Sequence, residues 1–175
     1  MRRATRPNEG WALDFVGDRL LHGRRFRGLT MMDEFGKTGL SLETAFSLPA
    51  PAVIRVLDDV AAVYGYPEYL RIDNGPELAS IAMLDWALKH NVELLFIEPG
   101  KPTQNAFIES FNSRVREEFF NANLFRSLAE AQLAGRDWLQ RYNEEHPHSA
   151  LGMLTPYEFQ ALYEISQPPQ LSLAS

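Results

Sequence analysis

Hydrophobic positions change period twice along this 175-residue chain. Residues 11–16, Trp-Ala-Leu-Asp-Phe-Val, are β-prone and alternate, which predicts a strand. A turn at His22-Gly23-Arg24 leads to a second strand over residues 26–32, and residues 39–45 make a third. Connections this short imply an antiparallel three-stranded meander. The period then lengthens. Val53, Leu57, Val60 and Tyr64 fall on one face of a helix that Gly65-Tyr66-Pro67 stops. Residues 69–72 make a short apolar strand, 80–91 a helix with Ser80 at its N-cap, and 92–97 a fifth strand. The loop Pro99-Gly100-Lys101-Pro102-Thr103-Gln104 precedes helices over 105–121, 127–144 and 155–164. Strand–helix–strand repeats imply right-handed crossovers and parallel pairing in the second half. The expected fold is α/β: a mixed five-stranded sheet, three strands antiparallel and then two parallel, with helices on both faces. Residues 1–9 read as a mobile basic arm, 10–165 as the core, and 166–175 as a flexible tail.

Composition narrows the classes. The 45% apolar and 11% aromatic content belongs to a globular chain. No cysteine is present, which excludes a disulfide framework and any thiolate metal site, and fits a reducing cytosol. No apolar run approaches the 18 or so residues of a membrane span, and the basic N-terminus lacks the apolar stretch of a signal peptide. Charge is less simple. With 17 basic and 23 acidic residues the net charge is −6, which by itself argues against a nucleic-acid partner. Yet residues 1–37 hold eight bases against five acids, and 14 of the 17 bases are Arg, suited to bidentate phosphate contacts.

Three carboxylates stand out. Strands disfavour Asp, yet Asp14 lies inside the first strand; a half-exposed strand face also accounts for it. Asp73-Asn74-Gly75 ends the fourth strand. It reads as a hairpin turn or, because a helix follows, as a β→α turn in which Gly75 supplies positive φ, where α/β sheets gather ligands. Glu109 is an exposed helical Glu or, between Phe107, Ile108 and Phe111, a residue at the core boundary. Together they describe acids on a central strand, at the end of its neighbour, and on a helix above both. Clustered carboxylates repel unless a cation neutralises them. All-oxygen donors select Mg²⁺ or Mn²⁺, and such a site suits two-metal phosphoryl transfer.

At this point the sequence resembles the catalytic core of DDE-type bacterial insertion-sequence transposases, related to retroviral integrases. The resemblance rests on Trp-Ala-Leu-Asp-Phe-Val (11–16), Arg-Ile-Asp-Asn-Gly-Pro-Glu (71–77), and Pro-Gly-Lys-Pro-Thr-Gln-Asn-Ala-Phe-Ile-Glu-Ser-Phe-Asn (99–112). Tyr142-Asn143, His148-Ser149-Ala150-Leu151-Gly152 and Thr155-Pro156 extend it, so that it covers residues 8–160. Asp73 and Glu109 are separated by 35 residues, the family's interval between its second and third acids. The resemblance implies a ribonuclease-H-like fold and two Mg²⁺ ions, replaceable by Mn²⁺, on Asp14, Asp73 and Glu109. It also implies cleavage that frees a 3′-hydroxyl and attack of that hydroxyl on target DNA, without a covalent enzyme–DNA intermediate. It implies element-end and target DNA as partners, a homodimer or higher multimer, no membrane, and work in the bacterial cytoplasm at the nucleoid.

Neighbouring residues have paired readings. Asn74 orients the metal shell or caps the next helix. Lys101 and Gln104 contact DNA or belong to a solvated loop. Asn105 caps its helix and joins the expected DNA-contacting set. Arg114 and Arg116 track phosphates or solvate a helix face. His148 contacts DNA or stabilises a turn. Trp11, Trp86 and Trp138 belong to the core or its edge. The chain departs from the family in carrying His146 for Arg and Leu78 for an aromatic. Family members carry upstream helix-turn-helix segments, so the chain is expected to be a fragment, a truncated frame or one product of a frameshifted gene, with a helix-turn-helix subunit as a further partner. Two other readings compete: a ribonuclease-H-like nuclease that only hydrolyses, and an inactive remnant that inhibits an intact transposase.

Overall fold

Five strands form one sheet in the order β3-β2-β1-β4-β5. The computed structural model describes residues 1–169. The strands are β1 (Gly10–Arg19), β2 (Arg25–Asp33), β3 (Gly39–Ala45), β4 (Tyr69–Ile72) and β5 (Glu93–Phe96). β1 pairs antiparallel with β2, and β2 with β3, as the short turns required. β1–β4 and β4–β5 are parallel, each reached through a helical crossover: α1 (Ala50–Tyr64) and then α2 (Ile81–His90). β1 runs three residues past the expected end, because antiparallel partners continue from Gly17↔Arg27 to Arg19↔Arg25.

Alternation along β1 sorts the two cores. Trp11 and Leu13 face a cluster with α1 and α2, which contribute Val53, Leu57, Val60, Met83 and Trp86. Ala12 faces a second cluster built by α3 (Ala106–Arg114), the turn after it and α4 (Leu128–Glu145). Asp14, two residues beyond Ala12, shares that second face. All three tryptophans are buried, and Leu78 is fully enclosed in the first cluster, so the aliphatic side chain is accommodated. No helix among the described residues is long and apolar enough to cross a membrane.

The helix expected over 105–121 is three pieces. A 3₁₀ turn (Pro102–Asn105) leads into α3, and a π-helical segment (Val115–Phe120) follows it. The wider π turn fits Val115, Phe119 and Phe120 all into the core. α5 (Pro156–Ser166) closes the fold with a capping box on Thr155 and Glu158. Ser166 of the expected tail is thus helical, and residues 170–175 lie outside the described residues.

The arm at residues 1–9 lies against the sheet. Arg2 donates to Glu68 and Glu93 at 2.7 Å each, and Arg6 pairs with Glu68. The Asn8 amide donates to Asp33 at 2.6 Å, and Asn8 Oδ1 accepts from the Trp11 indole at 2.7 Å. Much of the N-terminal basic surplus is therefore neutralised within the chain.

Ser80 caps α2 as expected, its side chain accepting from the Met83 amide at 3.2 Å. Ser80→Ala is expected to cost about 1 kcal/mol, read as a shift of the denaturant midpoint at unchanged slope.

Candidate active site

Strand register brings the first two acids together. Ala12 pairs with Arg71 across the parallel β1–β4 edge. Two residues further on each strand are Asp14 and Asp73, which lie level and on the same face, about one strand spacing apart (roughly 4.8 Å). Asp73 is the first residue beyond β4, at its carboxyl end. Both are half-buried.

α3 supplies the third acid. Asn112 donates from Nδ2 to one Asp14 oxygen at 3.0 Å, while its Oδ1 accepts from the Thr30 hydroxyl at 2.7 Å. Asp14 and Thr30 are themselves cross-strand partners, so Asn112 sits over that pair. Glu109 lies one helical turn before Asn112 on the same side of α3. The other Asp14 oxygen accepts from the Phe15 amide at 2.8 Å. Each Asp14 oxygen keeps a lone pair for a further ligand. Burial pushes the Asp14 carboxyl above the usual range, the Phe15 hydrogen bond opposes it, and the charges of Asp73 and Glu109 add to the rise. Asp14 thus feels the charges of both other carboxylates.

Glu109 is exposed, not at the core boundary. Ile108 and Phe111 turn inward and leave Glu109 about a quarter-turn away, at the rim. Among the described residues no three acidic or histidine side chains are gathered closely enough to hold an ion as they stand. The donor chemistry nonetheless fits a hard divalent cation: all ligands are carboxylate oxygens, and Asp14 carries repulsion that a cation would relieve.

The turn after β4 is built around Asp73, whose Oδ1 accepts from the Gly75 amide at 2.8 Å. Gly75 is not at positive φ. It is glycine because a Cβ there would lie 2.9 Å from Asp73 Oδ1. Asn74 does not cap α2, which Ser80 does; its Nδ2 donates to the Ile97 carbonyl at 2.9 Å and ties the turn to the end of β5. Glu77 pairs with Arg27 at 2.5 Å, and that guanidinium lies 4.1 Å from the Phe15 ring centre, pinning the same turn to β2.

The expected DNA-contacting residues are partly engaged. Lys101 pairs with Glu98, and Gln104 Oε1 accepts from the Glu98 amide at 2.9 Å. Arg116 donates to the Gly17 carbonyl at 2.8 Å. Arg114 lies 3.5 Å from Glu118 and touches His146. Asn105 occupies the cap position of α3 but makes no capping bond, because the 3₁₀ turn feeding the helix denies it extended backbone; its Oδ1 is buried and unpartnered. Asn112 and Thr30 were not singled out in the sequence. The spacing of Glu109 and Asn112, one turn apart, is the signal that could have found Asn112.

Two family models described as "Integrase core domain" match residues 4–102 and 90–156. The chain belongs to the integrase core family. It is 42% identical over 164 residues to an uncharacterized 39.2 kDa protein of insertion element IS476 from Xanthomonas euvesicatoria, covering 94% of this chain and 47% of that one. It is 46% identical over 155 residues to an uncharacterized 31.7 kDa protein of insertion element IS407 from Burkholderia multivorans, covering 89% and 56%. This integrase core thus spans about half the length of the curated relatives it matches. Among solved structures, the HTLV-2 integrase catalytic core domain in complex with magnesium superposes with a TM-score of 0.73 at 14% identity, over 90% of this chain and 99% of that one. A simian T-cell lymphotropic virus intasome chain gives 0.77 at 19% identity, over 98% and 58%. The fold is therefore the ribonuclease-H-like fold of integrase catalytic cores, and the chain is an integrase-like core of the insertion-element transposase type.

Removing the Asp14 charge tests the electrostatics without DNA. A carboxyl whose pKa is raised by folding loses stability as pH climbs from its unfolded to its folded value. Asp14→Asn is therefore expected to raise the thermal midpoint by a few degrees at pH 7, with the gain shrinking as the pH is lowered through that window. Asn112 can flip its amide to keep both hydrogen bonds.

Proposed function

We propose that this integrase core is the catalytic part of a DNA transposase, joining a 3′-hydroxyl end of element DNA to target DNA. Asp14, Asp73 and Glu109 are its catalytic and metal-binding residues. The observation that supports the reading is the layout of the elements: one parallel register sets Asp14 level with Asp73, and Asn112, one turn from Glu109, bonds Asp14.

The donor set calls for Mg²⁺, with Mn²⁺ as a substitute; when bound, such ions activate the attacking hydroxyl and stabilise the leaving oxygen. The protein's own share is positioning. Asn112 and the Phe15 amide orient Asp14, the Gly75 amide orients Asp73, and the Glu77–Arg27 pair and Asn74 hold the turn carrying Asp73. Exposed Glu109 closes the set from the rim, next to incoming DNA. Lys101, Gln104, Asn105 and Arg116 beside that rim, and Arg114 on the other flank of α3, are the DNA-contacting residues. The relatives are bacterial insertion-element proteins, so the reaction belongs to the bacterial cytoplasm, and integrase neighbours in dimeric and trimeric forms support a multimer.

The test is a joining assay with recessed-end duplex oligonucleotides and a supercoiled plasmid, in Mg²⁺ or Mn²⁺. The expected result is plasmid covalently joined to the oligonucleotide. Nicked plasmid without joining would make the chain a hydrolytic nuclease instead, and absence of both products would remove the activity from this chain.

A further inference from the structure

The helix that carries Glu109 has a second polar flank. A cavity of about 200 Å³ opens beside it, lined by Lys37, Ser110, Arg114, Tyr142, His148 and Ser149, with Phe107 and Phe111 as an apolar wall. No carboxylate among the described residues lines it. Ser110 and Arg114 are one turn apart on α3, on the flank facing α4 and away from Glu109.

Its polar groups are held in place yet incompletely satisfied. The turn of residues 148–154 fixes His148: its amide donates to the Leu154 carbonyl at 2.9 Å, and its carbonyl accepts from Met153 at 2.8 Å. The imidazole packs edge-on to Tyr142, with ring centres 5.2 Å apart. Its Nε2 is buried without a hydrogen-bond partner. Such an orphan costs free energy unless a ligand or water completes it. Lys37 lies 3.5 Å from the Phe107 ring centre and donates to the Glu34 carbonyl at 2.5 Å, leaving further donors on its ammonium.

The charged side chains on the lining itself, Lys37 and Arg114, are both positive. Burial, then Arg114, His146 and Lys37, push the His148 pKa down to about 4, and burial brings Lys37 down to about 8. Acids stand behind both cations, Glu34 and Asp33 near Lys37 and Glu118 beside Arg114, but each also has other partners and none lines the cavity. Glu34 accepts from Arg71 and Tyr69, Asp33 from three backbone amides, and Glu118 faces Arg114 and His146 from outside. Cations brought together around a cavity with hydroxyl and imidazole donors suit a phosphate group.

We propose that this cavity binds one backbone phosphate of DNA, with Lys37 and Arg114 supplying charge and His148, Ser110 and Ser149 supplying hydrogen bonds. The shared chemistry is a phosphate group, and the DNA source rests on the transposase reading above.

The experiment follows the His148 imidazole by NMR while inorganic phosphate, and separately a short duplex, are titrated into the whole chain, with duplex affinity measured by fluorescence anisotropy. His148 is expected to shift with both ligands. Ser149→Asp places a negative charge at an exposed position where a 3₁₀ turn begins and tolerates acids. It is expected to abolish the shift and weaken duplex binding about tenfold, with an unchanged melt. Lys37→Met is expected to do the same. Response to inorganic phosphate but not to duplex overturns the DNA assignment in favour of a free-phosphate site. Duplex binding that leaves His148 unmoved overturns the cavity while the transposase reading stands; no duplex binding, with no phosphate response, overturns both.

Discussion

Asp73→Asn is expected to lower divalent-metal-dependent strand transfer by at least about a thousandfold, the scale of removing a charged group from the centre of a phosphoryl-transfer site. The turn should survive, because Asn Oδ1 can accept from the Gly75 amide as Asp73 Oδ1 does at 2.8 Å. Only the charge is lost. Single-turnover joining measures the effect, and the thermal midpoint controls for folding. Activity within tenfold of wild type would mean that Asp73 binds no catalytic metal. The three acids should also differ in stability. Asp14→Asn raises the midpoint, because its charge is half-buried and repelled, whereas Glu109→Gln leaves it unchanged, because Glu109 is exposed.

The second large effect is on folding. Arg71 and Glu34 form an ion pair with 6% and 1% of their side chains exposed, bonded at 2.5 Å from Nε and at 3.3 Å from a terminal nitrogen. The Tyr69 hydroxyl donates to the same carboxylate at 2.5 Å, and the Arg71 guanidinium also donates to the Arg2 carbonyl at 2.7 Å. Tyr69 packs so tightly on Gly10 that a Cβ there would lie 2.0 Å from the ring. Breaking a buried pair from one side leaves an uncompensated charge and costs about 3–5 kcal/mol. Glu34→Gln or Arg71→Met is therefore expected to lower the thermal midpoint by about 6–20 °C. Replacing both residues with apolar side chains of similar volume should recover much of the loss. Midpoints within 2 °C of wild type for both single variants would show that the network carries little stability.

Much of this was legible in the chain. Residues 39–45 and 69–72 are strands at their expected limits, and short connections against helical crossovers predicted which pairs run antiparallel and which parallel. The acids were legible as a set through the family resemblance and the 35-residue interval. What stayed hidden depends on contacts distant in sequence. Arg71 reads as a blemish in an apolar strand until Glu34 meets it across 37 positions. The arm reads as free until Glu68 and Glu93 are placed beside Arg2. Asn112 reads as a helix-surface amide until β1 and β2 bring Asp14 and Thr30 beneath it. Gly75 reads from the sequence as a conformational glycine, whereas its reason is proximity to Asp73. Asn105 reads from the sequence as a cap that the 3₁₀ turn before α3 does not let it make.

The central claim is that carboxylates from β1, from the end of β4 and from α3 act as one divalent-cation site. Electron paramagnetic resonance of Mn²⁺ titrated into the chain with duplex DNA tests it most directly, since bound Mn²⁺ leaves the free-ion signal. The account predicts saturable loss of that signal for wild type, with binding sharply weakened in each of Asp14→Asn, Asp73→Asn and Glu109→Gln. Binding equal to wild type in all three variants, or no binding by wild type, would contradict it.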